Sequence, residues 1–532
     1  MNINIKTILD ADGVLLASID MPGRSMNVFS MDMMDSLESL LNHVDQNPQV
    51  KAVVLTSAKS AFLAGADLDM IRMFTERAVS GTHQELHDLC GHLGRLFRRL
   101  EKSTKPYVAA INGLALGGGL EVSLACHARV AADDRKVQLG LPEIKLGLLP
   151  GAGGTQRLPR MIGTELGLRM LLEGNPATPA QALECGIVDE IAKPEDLIAA
   201  AKVRALALVA KGSHAKAWDH PGASFDSAPF DFSRSDAQRQ IATAIGVSDY
   251  QLDKYPAYKS IMDCVTGGWS KPMDEACHWE MDCFVRLIQN PVAGNLVRTL
   301  FLNRQRAAKL VPTTLNAKEA RVAVLGQDNV GVKGLLEAGK AQVIAAGDLD
   351  KNDIALLMPG ASADRGISIA WLNDGAVGPA GAAGNVWLSD ATPNGRALEV
   401  NVPDAGALAT DAGLVLAQWF RASALVTHGK RALLPQLKTA QAATRKLKLS
   451  EADEMLAIAF AAANAWAEGG ITDTELADVA AVIGGLFPPY AGGPFNFLQQ
   501  SGLEKLRLQA ASASAIDPVL FQLPTCLAEL HI

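Results

Sequence analysis

With 532 residues the chain is too long for a single hydrophobic core, so several domains are expected. Its composition, 48% hydrophobic, 20% charged and 5% aromatic, is that of an ordinary globular protein, and a formal charge of −8 gives no electrostatic case for nucleic acid or an anionic membrane surface. The seven cysteines (Cys90, Cys126, Cys185, Cys264, Cys277, Cys283, Cys526) are scattered, odd in number and form no C-x-x-C pair, which reads as reduced thiols without a structural zinc site. The N-terminal M-N-I-N-I-K-T-I-L-D-A-D-G lacks a signal-peptide core and no apolar run reaches spanning length, so a cytoplasmic protein without membrane insertion is expected.

Residues 13–21 and 51–57 read as strands, and Ser30 is placed to cap a helix through M-D-M-M-D-S-L-E-S-L-L-N-H-V, whose apolar residues recur at three and four. The small-residue loop Ala64-Gly65-Ala66 would let a ligand approach main-chain N–H groups closely, although taken alone a tight turn before a helix is the favoured reading. Residues 78–101 read as helical, with His83, His87, Cys90 and His92 within ten positions. No carboxylate–histidine metal motif accompanies them, so a solvated helix face is favoured and no metal is assigned.

The stretch 106–113 reads as a buried strand that enters Gly117-Gly118-Gly119 and then the apolar run L-E-V-S-L-A-C. That order places bare N–H groups at a helix N-terminus, where negative charge is favoured. Glu121 lies one turn in, and Glu143 follows 22 positions later in L-P-E-I-K-L-G-L-L-P-G-A-G-G-T-Q-R. Two carboxylates in a partly dehydrated pocket cannot both ionise cheaply, so their pKa values split and one acid and one base coexist beside an anion hole. Strands at 128–132 and 136–142, helices at 154–174 and 178–185, and a strand at 186–191 complete a layered α/β domain of repeated strand, strand, helix.

A-G-A-D, then I-N-G-x-A-x-G-G-G-x-E, then P-E-x-x-x-G-x-x-P-G-A-G-G-T-Q-R-L, in that order and spacing, resembles the crotonase (enoyl-CoA hydratase/isomerase) superfamily over about residues 10–195. The resemblance implies a ββα spiral fold and an acyl-CoA thioester substrate. It further implies an oxyanion hole from the N–H groups of Ala66 and Gly118, and Glu121 and Glu143 as the pair that adds water to a trans-2-enoyl-CoA. By family position Met26, Ala64, Asp67, Gly117 and Gly151 would touch substrate, with the adenine near Arg24-Ser25-Met26-Asn27. Relatives with other chemistry often lack one glutamate; both are present here, favouring hydration, with Δ3,Δ2-enoyl-CoA isomerisation or another CoA-thioester reaction as the alternative.

Residues 192–280 read as helical and irregular, and a long helix is expected from Pro291 to before Pro312. That helix resembles the linking helix of the multifunctional fatty-acid oxidation α-subunit, which joins a hydratase to a 3-hydroxyacyl-CoA dehydrogenase. R-V-A-V-L-G-Q-D-N-V-G (321–331) resembles the first turn of a Rossmann unit, but Asp328 stands where the middle glycine of G-x-G-x-x-G admits a cofactor pyrophosphate. Asp348 reads as a turn residue rather than a ribose-binding acid, and Pro393 falls where the dehydrogenase family has its histidine. No cofactor is therefore expected, and dehydrogenase activity is expected to be lost.

Ser450 opens a helix, Thr472-Asp473-Thr474-Glu475 reads as a capping box, and L-F-P-P-Y-A-G-G-P-F-N-F-L resembles the closing helical domain of the same α-subunits. The expected layout is a crotonase domain at 1–195, a helical extension and linking helix at 196–315, a degenerate Rossmann-like domain at 316–430 and a helical domain at 431–532. The expected partners are an acyl-CoA substrate and a thiolase or dehydrogenase chain, with an oligomer or a scaffolding role also open.

Overall fold

The structure, a computed structural model, describes residues 3–328, 330–372, 378–379, 381–530 and 532, the side chain of Leu68 apart. The chain divides into two compact units, Met1–Gly294 and Asn295–Ile532.

The first unit is built on a six-stranded sheet in the order Ile5–Leu9, Val14–Ile19, Ala52–Ser57, Tyr107–Ile111, Ala128–Ala132, Glu190–Ala192. The first pair is antiparallel and the rest are parallel. Every residue of the strands at 52–57, 107–111 and 128–132 is buried, as expected where a parallel sheet is covered on both faces. Ser30 does cap the helix Met31–Gln46, its hydroxyl accepting from the Met33 N–H at 3.4 Å. The helical stretch expected at 78–101 is two helices, His83–Cys90 and His92–Glu101, interrupted at Gly91; that at 154–174 is likewise divided at Gly163, where φ is +87°.

A boundary at residue 195 does not coincide with a division of the structure. The helix Leu197–Lys211 packs directly on the strands at 52–57, 107–111 and 128–132, and the helices Pro256–Gly268 and Met273–Ile288 pack on the helix Gly154–Ile162. Residues 197–288 therefore supply core to the first unit. From Pro291 the chain is helical to Ala308, with a π-helical stretch at Val297–Asn303.

The second unit holds a seven-stranded sheet in the order Gln342–Val343, Arg321–Leu325, Ile354–Leu357, Ile367–Trp371, Gly384–Leu388, Ala397–Asn401, Ser423–Thr427. All neighbours are parallel except the pair at 384–388 and 397–401. One face packs under the helices Val332–Ala338 and Ala407–Phe420; the other carries a small cluster around Ala323, Ala355 and Leu357 and, at Trp387, Ala397 and Leu425, joins the helical core. The remaining core is helical, with Ser450 capping Glu451–Ala467. The cap of the next helix, Thr474–Ile483, is Asp473 and not Thr472: the Asp473 carboxylate accepts from the Leu476 N–H at 3.0 Å, one position later than the expected box.

Candidate active site

The strand Tyr107–Ile111 continues into a two-residue strand, Ala115–Leu116, paired in parallel with Leu139–Gly140. This pairing brings the segment before Glu143 alongside the glycine run. Gly117 has φ +53° and ψ −126°, a backbone state that L side chains rarely adopt, and its N–H donates to the Gly140 carbonyl at 2.9 Å. A Cβ there would also sit 2.7 Å from Glu143 Oε1; on Gly118 it would meet the Phe29 ring at 2.8 Å, and on Gly119 the Leu63 carbonyl oxygen at 2.2 Å. The three glycines thus admit a carboxylate, an aromatic ring and a neighbouring main chain in turn. The helix Gly118–Ala125 that follows is buried at every residue, Glu121 included.

The loop at 63–67 lies against this turn. Leu63 bridges to Ala115, and the site for a Gly117 Cβ is 3.6 Å from Gly65 Cα. Phe29 donates to the Gly65 carbonyl at 2.8 Å and accepts from the Asp67 N–H at 2.7 Å, so the N–H of Ala66, between them, is directed away from Phe29. Neither the Ala66 nor the Gly118 N–H donates to an acceptor among the described residues. These are the two donors implied for an oxyanion, one in the loop at 63–67 and one at the first residue of the helix Gly118–Ala125.

Of the other expected contacts, Ala64 donates from its main chain to Asn27 at 2.9 Å, and Asn27, fully buried, pins the loop through Ile19, Met21 and Ser57. Met26 beside it is 45% exposed. The buried Asp67 caps the helix Leu68–Ala78 through the Asp69 N–H and pairs with Arg24, so its carboxylate holds that same loop in place. At Gly151 a Cβ would come 3.0 Å from the Phe284 ring.

Glu121 Oε1 accepts from the N–H groups of Ala152 and Gly154, both at 2.8 Å. Between and beyond those donors, Gly153 and Thr155 donate from their main chains to Glu280 at 2.6 and 3.0 Å, and the Thr155 hydroxyl also bonds Glu280. Four successive N–H groups at the start of the helix Gly154–Ile162 alternate between two buried carboxylates. Arg157 locks the turn from inside: it donates to the Ala152 carbonyl at 2.8 Å and forms a two-pronged, fully buried pair with Glu101 at 2.9 and 3.0 Å. Burial opposes ionisation of Glu101, yet Arg157 holds its carboxyl below the usual range.

Glu143 sits on the 3-10 turn Pro142–Leu146, and its Oε2 is sealed from solvent with no hydrogen-bond partner among the described residues. Burial, then the charge of Glu121, push the Glu143 pKa well above 4.5, with Glu280 adding to the effect. Burial also raises Glu121, against its two N–H bonds and Arg157. Burial and then Glu121 push Glu280 up to about 8.

Glu280 escaped the sequence reading because no spacing links it to the glycine run. The available signal is its phase: Met273, Ala276, Glu280, Phe284 and Leu287 are all on the buried side of one helix. The expected His83–His87–Cys90–His92 face is also altered. His83 is half-exposed, but His87 is buried, and Cys90 is buried with its thiol pushed up to about 12.

Residues 11–220 match the profile of the enoyl-CoA hydratase/isomerase family. A fatty acid oxidation complex subunit alpha from Idiomarina loihiensis is 45% identical over 196 residues, 37% of this chain and 27% of that one. The subunit of the same name from Shewanella frigidimarina is 34% identical over 340 residues, 62% of this chain and 45% of its own. The chain thus spans less than half the length of these curated relatives. Among solved structures, an enoyl-CoA hydratase from Bacillus anthracis is 29% identical, covering 48% of this chain and 96% of that one, with a TM-score of 0.36. None of the described helices is long and apolar enough to cross a membrane. Residues 11–220 thus form a segment of the enoyl-CoA hydratase/isomerase (crotonase) family type.

Proposed function

We propose that the first unit is an enoyl-CoA hydratase that adds water to a trans-2-enoyl-CoA to give a 3-hydroxyacyl-CoA. The observation that carries this reading is the contrast between two coupled carboxylates. Glu121 has an oxygen pinned by two N–H donors, whereas Glu143 has a buried oxygen with none. The first is suited to stay anionic and the second to stay protonated.

In the reaction Glu121 takes a proton from water as the water oxygen bonds to C3. The double-bond electron pair moves toward the thioester, and the enolate oxygen accepts from the Ala66 and Gly118 N–H groups. Glu143 then gives its proton to C2 as the carbonyl re-forms, and transfer of the new proton from Glu121 to Glu143 restores the pair. Each oxyanion donor of this kind contributes about 3–4 kcal/mol to lowering the barrier. The fatty acid oxidation complex subunits among the relatives support placing the reaction in fatty acid oxidation; a separate thiolase or dehydrogenase is the partner class proposed with it.

The second unit does not fit NAD. Asp328 accepts from the Val332 and Lys333 N–H groups, each at 2.9 Å, so a carboxylate already covers the start of the helix where a pyrophosphate would lie. Burial works against its ionisation, but bonds from Lys333 and Val332 keep its pKa below the usual carboxylate range. Asp348 ends an exposed 3-10 turn, and Pro393 lies in the turn closed by Thr392 and Gly395. No hydride-transfer step is assigned to this chain.

Loss of the conjugated absorbance of crotonyl-CoA tests the hydratase reading, and gain of that absorbance from a 3-enoyl-CoA measures isomerisation separately. Crotonyl-CoA and longer enoyl-CoAs left unchanged by the purified chain would refute hydration. NADH formed from a 3-hydroxyacyl-CoA would refute the loss of dehydrogenase function.

A further inference from the structure

On the packed helices His83–Cys90 and Met273–Ile288, two pairs of residues spaced four apart face one another: His83 with His87, and His278 with Asp282. The Nε2 atoms of His83 and His87 lie 3.5 and 3.9 Å from Asp282 Oδ1, and His278 Nε2 lies 3.9 Å from Oδ2. These distances are too long for hydrogen bonds. One ligand atom each from His87, His278 and Asp282 nevertheless falls within 4.8 Å of the other two, and the His87 and His278 rings are 4.2 Å apart at their centroids. Around a tetrahedral zinc ion, with bonds of about 2.0–2.1 Å, ligand atoms stand about 3.3 Å from one another. Small side-chain rotations close the present spacing to that value. His278 and His83 are free to make them, with side chains 64% and 47% exposed.

His87 supplies an independent observation. It is 8% exposed, and its Nε2 is sealed with no hydrogen-bond partner among the described residues. A buried ring nitrogen left in this way is costly unless something outside the protein engages it.

We propose that His87, His278 and Asp282, with His83 as the fourth group, bind a divalent transition metal of the zinc class and staple the two helices together. Imidazole nitrogens with a single carboxylate suit zinc, whereas calcium and magnesium require a shell of oxygens that this cluster does not offer. Cys90 and His92, which the sequence places in the same run, take no part; the site is completed from a helix about 190 residues further on.

The test uses the full chain freed of metal, with Zn(II) titrated in competition with a chromophoric chelator and Co(II) as the spectroscopic probe. One Zn(II) per chain is expected, along with the visible bands of four- or five-coordinate Co(II) and a higher Tm with zinc. His278→Ala and Asp282→Asn should each weaken zinc binding by at least about tenfold and remove the zinc-dependent rise in Tm, since even outer-sphere partners are worth about 10–100-fold. Neither position lies in the carboxylate site, and circular dichroism of both variants should match the parent. Failure of the parent chain to compete with the chelator overturns the proposal. So does a His278→Ala, Asp282→Asn double variant that binds zinc within tenfold of the parent.

Discussion

Replacing Glu143 with Gln should remove activity and raise stability together. The amide keeps the shape of the carboxyl but cannot give a proton to C2. General acid catalysis contributes about 100- to 10,000-fold, so kcat/KM for crotonyl-CoA should fall by that factor, or about 3–5 kcal/mol of barrier. Stability moves the other way because burial, then the charge of Glu121, opposes ionisation of Glu143 in the folded chain, a cost the uncharged amide does not carry. The sign with pH follows from the direction of the shift. The folded pKa lies above the ordinary 4.5, so the contribution of this group is fully present below 4.5 and is lost as pH rises through the folded value. The advantage of Gln should therefore be small at pH 5 and larger at pH 8, growing by no more than about 1.4 kcal/mol per pH unit. Hydrogen exchange of amides in the helix Gly154–Ile162, compared between variant and parent at each pH, reads this locally. Activity within tenfold of the parent would refute the acid role. Weaker protection in the Gln variant at pH 8 would refute the claim that burial strains this carboxylate.

Gly117→Ala should cost about 1–2 kcal/mol because φ is +53°, and its Cβ, 2.7 Å from Glu143 Oε1, should displace the acid. Thermal melts check the first effect, and a fall in kcat of roughly 100-fold at unchanged KM checks the second. Glu280→Ala should leave the Gly153 and Thr155 N–H groups unpaired, at about 1–3 kcal/mol each, and destabilise the first unit in a melt. It also removes a charge that raises the Glu143 pKa, so the alkaline limb of the kcat/KM profile should move to lower pH. Asp328→Ala should cost the second unit about 1 kcal/mol of helix capping by denaturant titration, without NADH formation from a 3-hydroxyacyl-CoA.

The sequence disclosed those parts of the fold whose signal is local. The strands at 52–57, 107–111 and 128–132 are continuous apolar runs because both faces of the sheet are covered, and Glu121 stands out because everything around it in its helix is apolar. The first strand, Ile5–Leu9, escaped notice because it pairs on one side only and leaves Lys6, Thr7 and Ile8 exposed. The expected boundary at 195 and the division of the structure after Gly294 differ for a related reason. Amphipathic helices at 197–288 look the same whether they form a separate layer or complete a neighbour, and only their packing on the sheet and on the helix Gly154–Ile162 decides. Asp328 was legible as a departure from a glycine pattern, whereas its capping of the helix that follows required the fold.

The roles of the carboxylates illustrate the same limit in the chemistry. Three glutamates, chemically identical in the sequence, share one electrostatic neighbourhood: the charge of Glu121 raises both Glu143 and Glu280. They cannot all ionise cheaply, so the pair or triad titrates as a unit and a proton must reside somewhere within it at neutral pH. Where it resides depends on donors supplied by the main chain. The N–H groups of Ala152, Gly153, Gly154 and Thr155 point alternately at Glu121 and Glu280 and favour the charged form of each, although burial and then Glu121 still push Glu280 up to about 8. Glu143, 22 residues from Glu121 and on a different turn, receives no such bond at Oε2, and burial, then Glu121, raises its pKa well above 4.5, which favours the protonated form there. On the hydratase reading, acid and base would thus be distinguished by a glycine-rich helix start, P-G-A-G-G-T, that contains neither of them.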